Sequence, residues 1–318
     1  LKSKFTIGSR GSQLALWQTD YVKTELEKRF PRVRFEVRII KTTGDVILDT
    51  ALSKIGDKGL FTTQIENALL SGEIDLAVHS LKDLPTTQPK HLRIGAVSAR
   101  ETPNDALISK HYSSLEDLPK NAKIATGSLR RKSQLLHFRP DLEVVEIRGN
   151  VPTRIEKFLA SDLDGIILAF AGVHRLNLDE YIKQIIPADI MLPAVGQGVM
   201  AVEIRDNDSE IAAMIRALND EATETCIKAE RAFLRSLEGG CQVPIGGFAV
   251  LEKEEIFLQG FIGSLSGEKI IRDSMRGRIK DAENLGRSLA EKCLRQGAAE
   301  ILDESRKAAQ QSVSEVVV

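Results

Sequence analysis

Phe5 and Ile7 alternate with Lys4 and Thr6, a period-two pattern that predicts a short strand. Gly8-Ser9-Arg10-Gly11-Ser12 then turns into a helix whose apolar stripe is Leu14, Trp17, Tyr21, Val22 and Leu26. Val33, Phe35, Val37 and Ile39 alternate with Arg34, Glu36 and Arg38 and predict a second strand, ending at Thr42-Thr43-Gly44-Asp45. A helix through Phe61, Ile65, Ala68 and Leu69 follows. The run Ile74 to Ser80 then reads as a buried strand that delivers Leu81-Lys82-Asp83-Leu84-Pro85 at its C-terminal end, where open α/β sheets bind ligands. Leu92 to Val97 is a further strand, and the polar, proline-broken segment Ala99 to Asp105 is a candidate domain crossover.

A second unit begins there. Ile124-Ala125 leads into Thr126-Gly127-Ser128-Leu129-Arg130-Arg131, and Leu142 to Ile147 into Arg148-Gly149-Asn150-Val151-Pro152, where proline suits a first helical turn. Gly165 to Ala169 leads into Gly172-Val173-His174-Arg175. Leu192-Pro193-Ala194-Val195-Gly196-Gln197-Gly198 reads as a second crossover, with Val199 to Ile204 a strand returning to the first unit. After a helix near Ser209 to Leu218, Cys226, Ala229, Ala232, Phe233 and Leu237 recur at helical spacing and run into Gly239-Gly240-Cys241. Strands at Phe248–Leu251, Ile256–Ile262 and Lys269–Arg276, then a helix from Ala282 to Gln296, make a small α+β domain. Residues 308–318 read as a frayed end.

At 318 residues the chain exceeds what one core usually organises, so two or three domains are expected. The balance of 44 basic and 45 acidic side chains gives a formal charge of −1. No global field therefore recruits nucleic acid or an anionic membrane, and any anion site must be local. Cys226, Cys241 and Cys293 lie far apart with no C-x-x-C pair, against a disulfide framework or a tetrahedral zinc site and in favour of a reducing compartment. No apolar run approaches the roughly 20 residues of a membrane span, and the first residues lack a signal-peptide core, so the expectation is a cytoplasmic protein.

The chemistry concentrates at strand exits. Arg10, Arg130 with Arg131, Arg148 and Arg175 each follow a strand, and Arg154 lies one turn beyond its exit. The planar guanidinium pairs two carboxylate oxygens at once, so many such forks suit a ligand with many carboxylates. Arg130 and Arg131 beside a helix N-terminus oppose the helix dipole unless an anion sits there. Ser12 is either a plain N-cap or part of an anion site, and Asp83 either a catalytic carboxylate, a cap or a partner of Lys82. The segment Ser53 to Gly59, with Lys54 and Lys58, lacks P-loop spacing and reads as a mobile loop; Gly196 and Gly198 do not complete a dinucleotide fingerprint. Cys241 sits between paired glycines and Pro244, on a backbone able to bend sharply, which suits either a reactive thiol or a buried one beside a turn. None of the five histidines pairs with it in a recognisable motif, against a cysteine hydrolase.

Taken together, Gly8-Ser9-Arg10-Gly11-Ser12-Gln13-Leu14-Ala15, Ala77-Val78-His79-Ser80-Leu81-Lys82-Asp83-Leu84-Pro85, Ser128-Leu129-Arg130-Arg131, Arg148-Gly149-Asn150, Leu192 to Gly198 and Glu238-Gly239-Gly240-Cys241-Gln242-Val243-Pro244 resemble the porphobilinogen deaminase family. The resemblance implies an α/β fold of three domains: 1–99 plus 199–218, 100–198, and 219–318. The first two would resemble a type II periplasmic-binding-protein pair with hinge crossovers, and the third is a small α+β domain with an antiparallel sheet. It also implies a dipyrromethane cofactor thioether-linked to Cys241 and catalysis by Asp83. Arg10, Ser12, Lys82, Thr126, Ser128, Arg130, Arg131, Arg148, Arg154 and Arg175 would bind carboxylates of substrate and cofactor, under a mobile cover carrying Lys54 and Lys58. The expected reaction joins four porphobilinogen molecules on the cofactor and releases a linear tetrapyrrole, in a monomer without metal, nucleic-acid or membrane partners. The rival is a two-lobed receptor for a small polycarboxylate that performs no chemistry.

Overall fold

The computed structural model describes residues 2–46, 61–238 and 243–314. Cys241 and the expected cover residues Lys54 and Lys58 lie outside them. The chain divides into two compact units, the first formed by described residues 2–46, 61–101 and 197–224, the second by the remainder.

The first unit is built on strands β1 (Lys4–Ser9), β2 (Arg34–Ile39), β3 (Leu76–Ser80), β4 (Leu92–Val97) and β10 (Met200–Arg205), in the sheet order β2-β1-β3-β10-β4. β1 runs parallel to both β2 and β3, while the returning strand β10 is antiparallel to β3 and β4. Phe5, Ile7, Phe35, Leu76, Val78, Val202 and Ile204 carry the core against Val22 and Leu26 of the helix Gln13–Arg29. That helix departs from the expected stripe: Tyr21 is 46% exposed, whereas Gln18 and Thr19 are buried. Both polar side chains are satisfied at strand ends, Gln18 Nε2 donating to Ser80 Oγ at 2.9 Å and Thr19 Oγ1 to Ser9 Oγ at 2.8 Å. Hydrogen bonding removes the penalty that otherwise keeps such groups at the surface.

The second unit holds two sheets. In one, β5 (Asp105–Ser109), β6 (Lys123–Ala125), β7 (Glu143–Val145), β8 (Gly165–Ala169) and β9 (Ile182–Ile185) take the order β7-β6-β8-β5-β9, with β6 parallel to β7 and β8 and β5 antiparallel to β8 and β9. The other is antiparallel and made of β11 (Ile245–Glu252), β12 (Glu255–Gly263) and β13 (Ile270–Arg278). Its core joins Phe233 of the helix Glu221–Ser236, and Leu237 just past its end, to Leu285, Leu289 and Ile301 of the last two helices. Phe233 explains a glycine inside β12, because a Cβ on Gly260 would lie 2.5 Å from its ring. The segment expected to fray is helical as far as Ser314, after a break at Gly297 with φ +101°.

Asp105 opens β5 with no exposed surface, although the sequence pattern places it in a polar crossover. Its Oδ1 accepts from Arg131 Nε at 3.0 Å, and its Oδ2 lies 2.8 Å from Arg130 Nη1. Arg130 and Arg131 are themselves buried, so the carboxylate balances two cations withdrawn from water. Breaking such a group from one side leaves uncompensated buried charge. Asp105→Asn is expected to lose about 3–5 kcal/mol in urea-induced unfolding; a wild-type midpoint would show that the arginines find other counter-charges.

Candidate active site

In the first unit, parallel pairing of β1 and β3 brings the residues after Ser9 and after Ser80 to the same edge of the sheet. Ser12 is the N-cap of the helix Gln13–Arg29, its hydroxyl accepting from Ala15 N at 3.3 Å. The Arg10 guanidinium lies 4.2 Å from the Phe61 ring centroid. At the β3 exit, Leu81–Asp83 forms one 3₁₀ turn anchored by the buried Leu81, whose backbone N–H donates to Val199 at 2.9 Å. The half-buried Lys82 donates from Nζ to Gln197 Oε1 at 3.2 Å. Asp83 is exposed, and none of the described residues pairs with its carboxylate.

Behind this exit is a buried polar group that the alternating pattern did not disclose. His79 Nε2 of β3 lies 3.2 Å from Glu203 Oε2 of β10, both side chains being shielded from solvent. Burial raises the carboxyl pKa of Glu66, on the helix Thr63–Leu70, and the neighbouring Glu203 charge acts in the same direction. An acid inside an apolar strand, as in Met200-Ala201-Val202-Glu203-Ile204, is the sequence signal of such a group.

In the second unit, β7, β6 and β8 are parallel neighbours, so three arginine-bearing exits share one edge. Thr126 is buried and accepts from Ser128 N at 3.3 Å, and Ser128 caps the helix Leu129–Phe138 by accepting from Arg131 N at 3.4 Å. The anion demanded by the two cations in that first turn is supplied by the chain itself, as Asp105. Arg130 Nη1 also donates to the Leu192 carbonyl at 2.7 Å and Arg131 Nη1 to that of Ile167 at 2.9 Å. These contacts fix both guanidinium groups in place within the second unit.

Arg148 differs from them. Its Nη1 is buried and no described residue hydrogen-bonds to it. The turn around it is well made: Gly149 has φ +122°, Arg154 Nε donates to the Gly149 carbonyl at 2.7 Å, and Asn150 caps the helix Val151–Leu159 through Thr153 N at 3.0 Å. Arg175 is buried just past the short helix Phe170–His174. A buried guanidinium donor without an acceptor is costly unless an anionic ligand completes it, so the Arg148 turn suits a carboxylate. No group of three or more ligating side chains suited to a metal ion occurs among the described residues, and no helix among them is long and apolar enough to cross a membrane.

Comparison with known proteins fits this chemistry. Residues 5–213 match the family model described as porphobilinogen deaminase, dipyromethane cofactor binding domain, and residues 224–295 match porphobilinogen deaminase, C-terminal domain. The porphobilinogen deaminase of Chlorobium phaeobacteroides is 51% identical over 311 residues, covering 96% of this chain and 99% of that protein. The one from Carboxydothermus hydrogenoformans is 48% identical over 307 residues with the same coverage. Among solved structures, the methionine binding protein MetQ matches at a TM-score of 0.43 with 10% identity, over 72% of this chain and 91% of that one. From matches of this length on both domains, the chain belongs to the porphobilinogen deaminase family.

Proposed function

We propose that Asp83 is the catalytic carboxylate of porphobilinogen deamination in this chain, and that Arg148 leads a set of arginines that hold the carboxylate arms of substrate and cofactor. The observation that carries the assignment is the Asp83 carboxylate itself, which stands at a parallel-strand exit with no described partner, beside an oriented lysine. The family match selects an enzyme over the two-lobed receptor, with dipyrromethane as its cofactor.

Porphobilinogen carries an aminomethyl group on a pyrrole, and the ring nitrogen can expel ammonia to leave a cation delocalised over ring and methylene. A carboxylate at the pyrrole N–H stabilises that cation more than the neutral reactant, which is the condition for lowering the barrier. Asp83 has this role. When bound, the dipyrromethane supplies the pyrrole carbon to which the first substrate unit is joined, and it remains on the protein after hydrolysis. The orphaned Arg148 donor fits such a polycarboxylate, and Arg10, Ser12, Lys82, Thr126, Ser128, Arg154 and Arg175 supply further cations and hydroxyls at exits on the same two sheet edges. Arg130 and Arg131 contribute through guanidinium groups oriented by Asp105.

Cys241 is the proposed attachment point. The other two cysteines are packed in the core of the third sheet, where burial, with the Asp273 charge, pushes the Cys293 thiol up to about 11. Four condensations and a hydrolysis then give linear hydroxymethylbilane. The reading is completed by a cytoplasmic monomer; the wide spacing of the three cysteines, with no C-x-x-C pair, favours the reducing compartment.

With porphobilinogen as substrate, Asp83→Ala is expected to keep the thermal midpoint of the native protein, because the side chain is exposed, and to lower turnover by about 10²–10³-fold. Turnover equal to wild type would remove Asp83 from the chemistry. Arg148→Ala is expected to raise KM about tenfold without loss of stability, since the side chain makes no hydrogen bond to the described residues, and Arg148→Lys to recover only part of it. An unchanged substrate response in both variants would exclude Arg148 from carboxylate binding.

A further inference from the structure

The proposed chemistry assigns no task to the buried side chain of Gln197. Gln197 is 1% exposed, and its Oε1 accepts from Lys82 Nζ at 3.2 Å. Its backbone is held as firmly as its side chain. The flanking glycines have φ +74° at Gly196 and +87° at Gly198, conformations that L side chains rarely adopt. A Cβ at position 198 would lie 2.3 Å from the Glu101 carbonyl oxygen. The Gly198 carbonyl accepts from Glu101 N at 3.1 Å, and the Gln197 carbonyl from Arg100 Nη1 at 3.3 Å. Two residues on, the Val199 carbonyl accepts from Leu81 N at 2.9 Å, so the same segment holds both main chain and side chain of the β3 exit.

We propose that Gln197 is a positioning residue for Lys82, its amide oxygen orienting the ammonium at the β3 exit while leaving the positive charge for a substrate carboxylate. The choice of acceptor carries the inference. A carboxylate at this position would orient the ammonium equally well but would neutralise it, and would compete with the acidic arms of an incoming pyrrole. A carboxamide accepts the same hydrogen bond at no net charge. Lysine gains more from this than arginine would, because its flexible four-carbon stem carries no fork of its own to set direction. The inference rests on the reading of Lys82 as a carboxylate-binding group, and its test separates the two.

Steady-state kinetics on porphobilinogen would be measured for holoenzyme carrying Gln197→Glu, Gln197→Met, Lys82→Met, and Lys82→Met combined with Gln197→Glu. Gln197→Glu is expected to raise KM about tenfold or more with a smaller change in kcat, and Gln197→Met, which removes the acceptor without adding charge, to raise it less. In the Lys82→Met background the glutamate is expected to add no further loss, because the partner it acts through is gone. Wild-type KM in both Gln197 variants, with Lys82→Met impaired, would overturn the role of Gln197 alone. The same overturning result is an equal glutamate penalty with and without Lys82, which would place the effect on Arg100 or the strand. Wild-type kinetics in Lys82→Met would instead overturn the reading of Lys82, and this proposal with it. Should Gln197→Glu fail to fold, the loss in Gln197→Met and its absence in Lys82→Met with Gln197→Met decide the question in the same way.

Discussion

Parallel strands leave a sheet at the same edge, and this constraint places almost every polar group of the proposed site. In the first unit it sets the turn after β1, with Arg10 and Ser12, beside the turn after β3, with Lys82 and Asp83. In the second it does the same for the turns after β6 and β7, which carry Ser128 and Arg148, and for the short helix that follows β8 and ends at Arg175. Helices start at these turns, so their unsatisfied N–H groups add to the preference for anions. The antiparallel strand β10 contributes differently. It enters between β3 and β4, and the segment just before it supports the β3 exit through Val199 and Gln197.

The buried charges follow from the same geometry. Cations gathered at one edge repel each other and resist desolvation, and the chain offsets this only where a carboxylate lies close by. Asp105 does so for Arg130 and Arg131. Among the described residues Arg148 has no such partner, and the contrast sets the guanidinium groups oriented by the chain apart from the one proposed to be completed by a ligand. A similar logic applies to Lys82, which is oriented by a neutral amide.

Much of this was legible in the sequence because it depends on local pattern. The alternation around Phe35, the buried run ending at Ser80 and the return strand near 199–204 all correspond to observed strands, and Arg10, Arg130, Arg131 and Arg148 follow strand exits, whereas Arg175 lies at the far end of the helix Phe170–His174. What was not legible depends on distant partners. Asp105 follows Thr102-Pro103-Asn104 and looks like more of a polar crossover; only its arginines, far along the chain, make burial tolerable and allow β5 to begin there. Gln18 and Thr19 fall off the apolar stripe of their helix yet are buried, because Ser80 and Ser9 receive them. Gln197 shows nothing in its own neighbourhood except two glycines, and its use appears only when Lys82 is placed beside it. Local pattern finds the elements, whereas hydrogen-bond satisfaction across the sheet decides which polar residues go inside.

An anchoring thiol makes different demands on its surroundings from an attacking one. A nucleophilic cysteine needs a base and a lowered pKa in every cycle, whereas an anchor needs its thiolate once, when the cofactor is attached. With Cys241 as the proposed anchor, no histidine need pair with it, and none in the sequence does so in a recognisable motif. The most direct test is the intact mass of the protein purified from a host that makes porphobilinogen, compared with that of Cys241→Ser. The account predicts a wild-type chain heavier than its sequence by one dipyrromethane and a variant at the unmodified mass; an unmodified wild-type chain, or an adduct that survives Cys241→Ser, would contradict it.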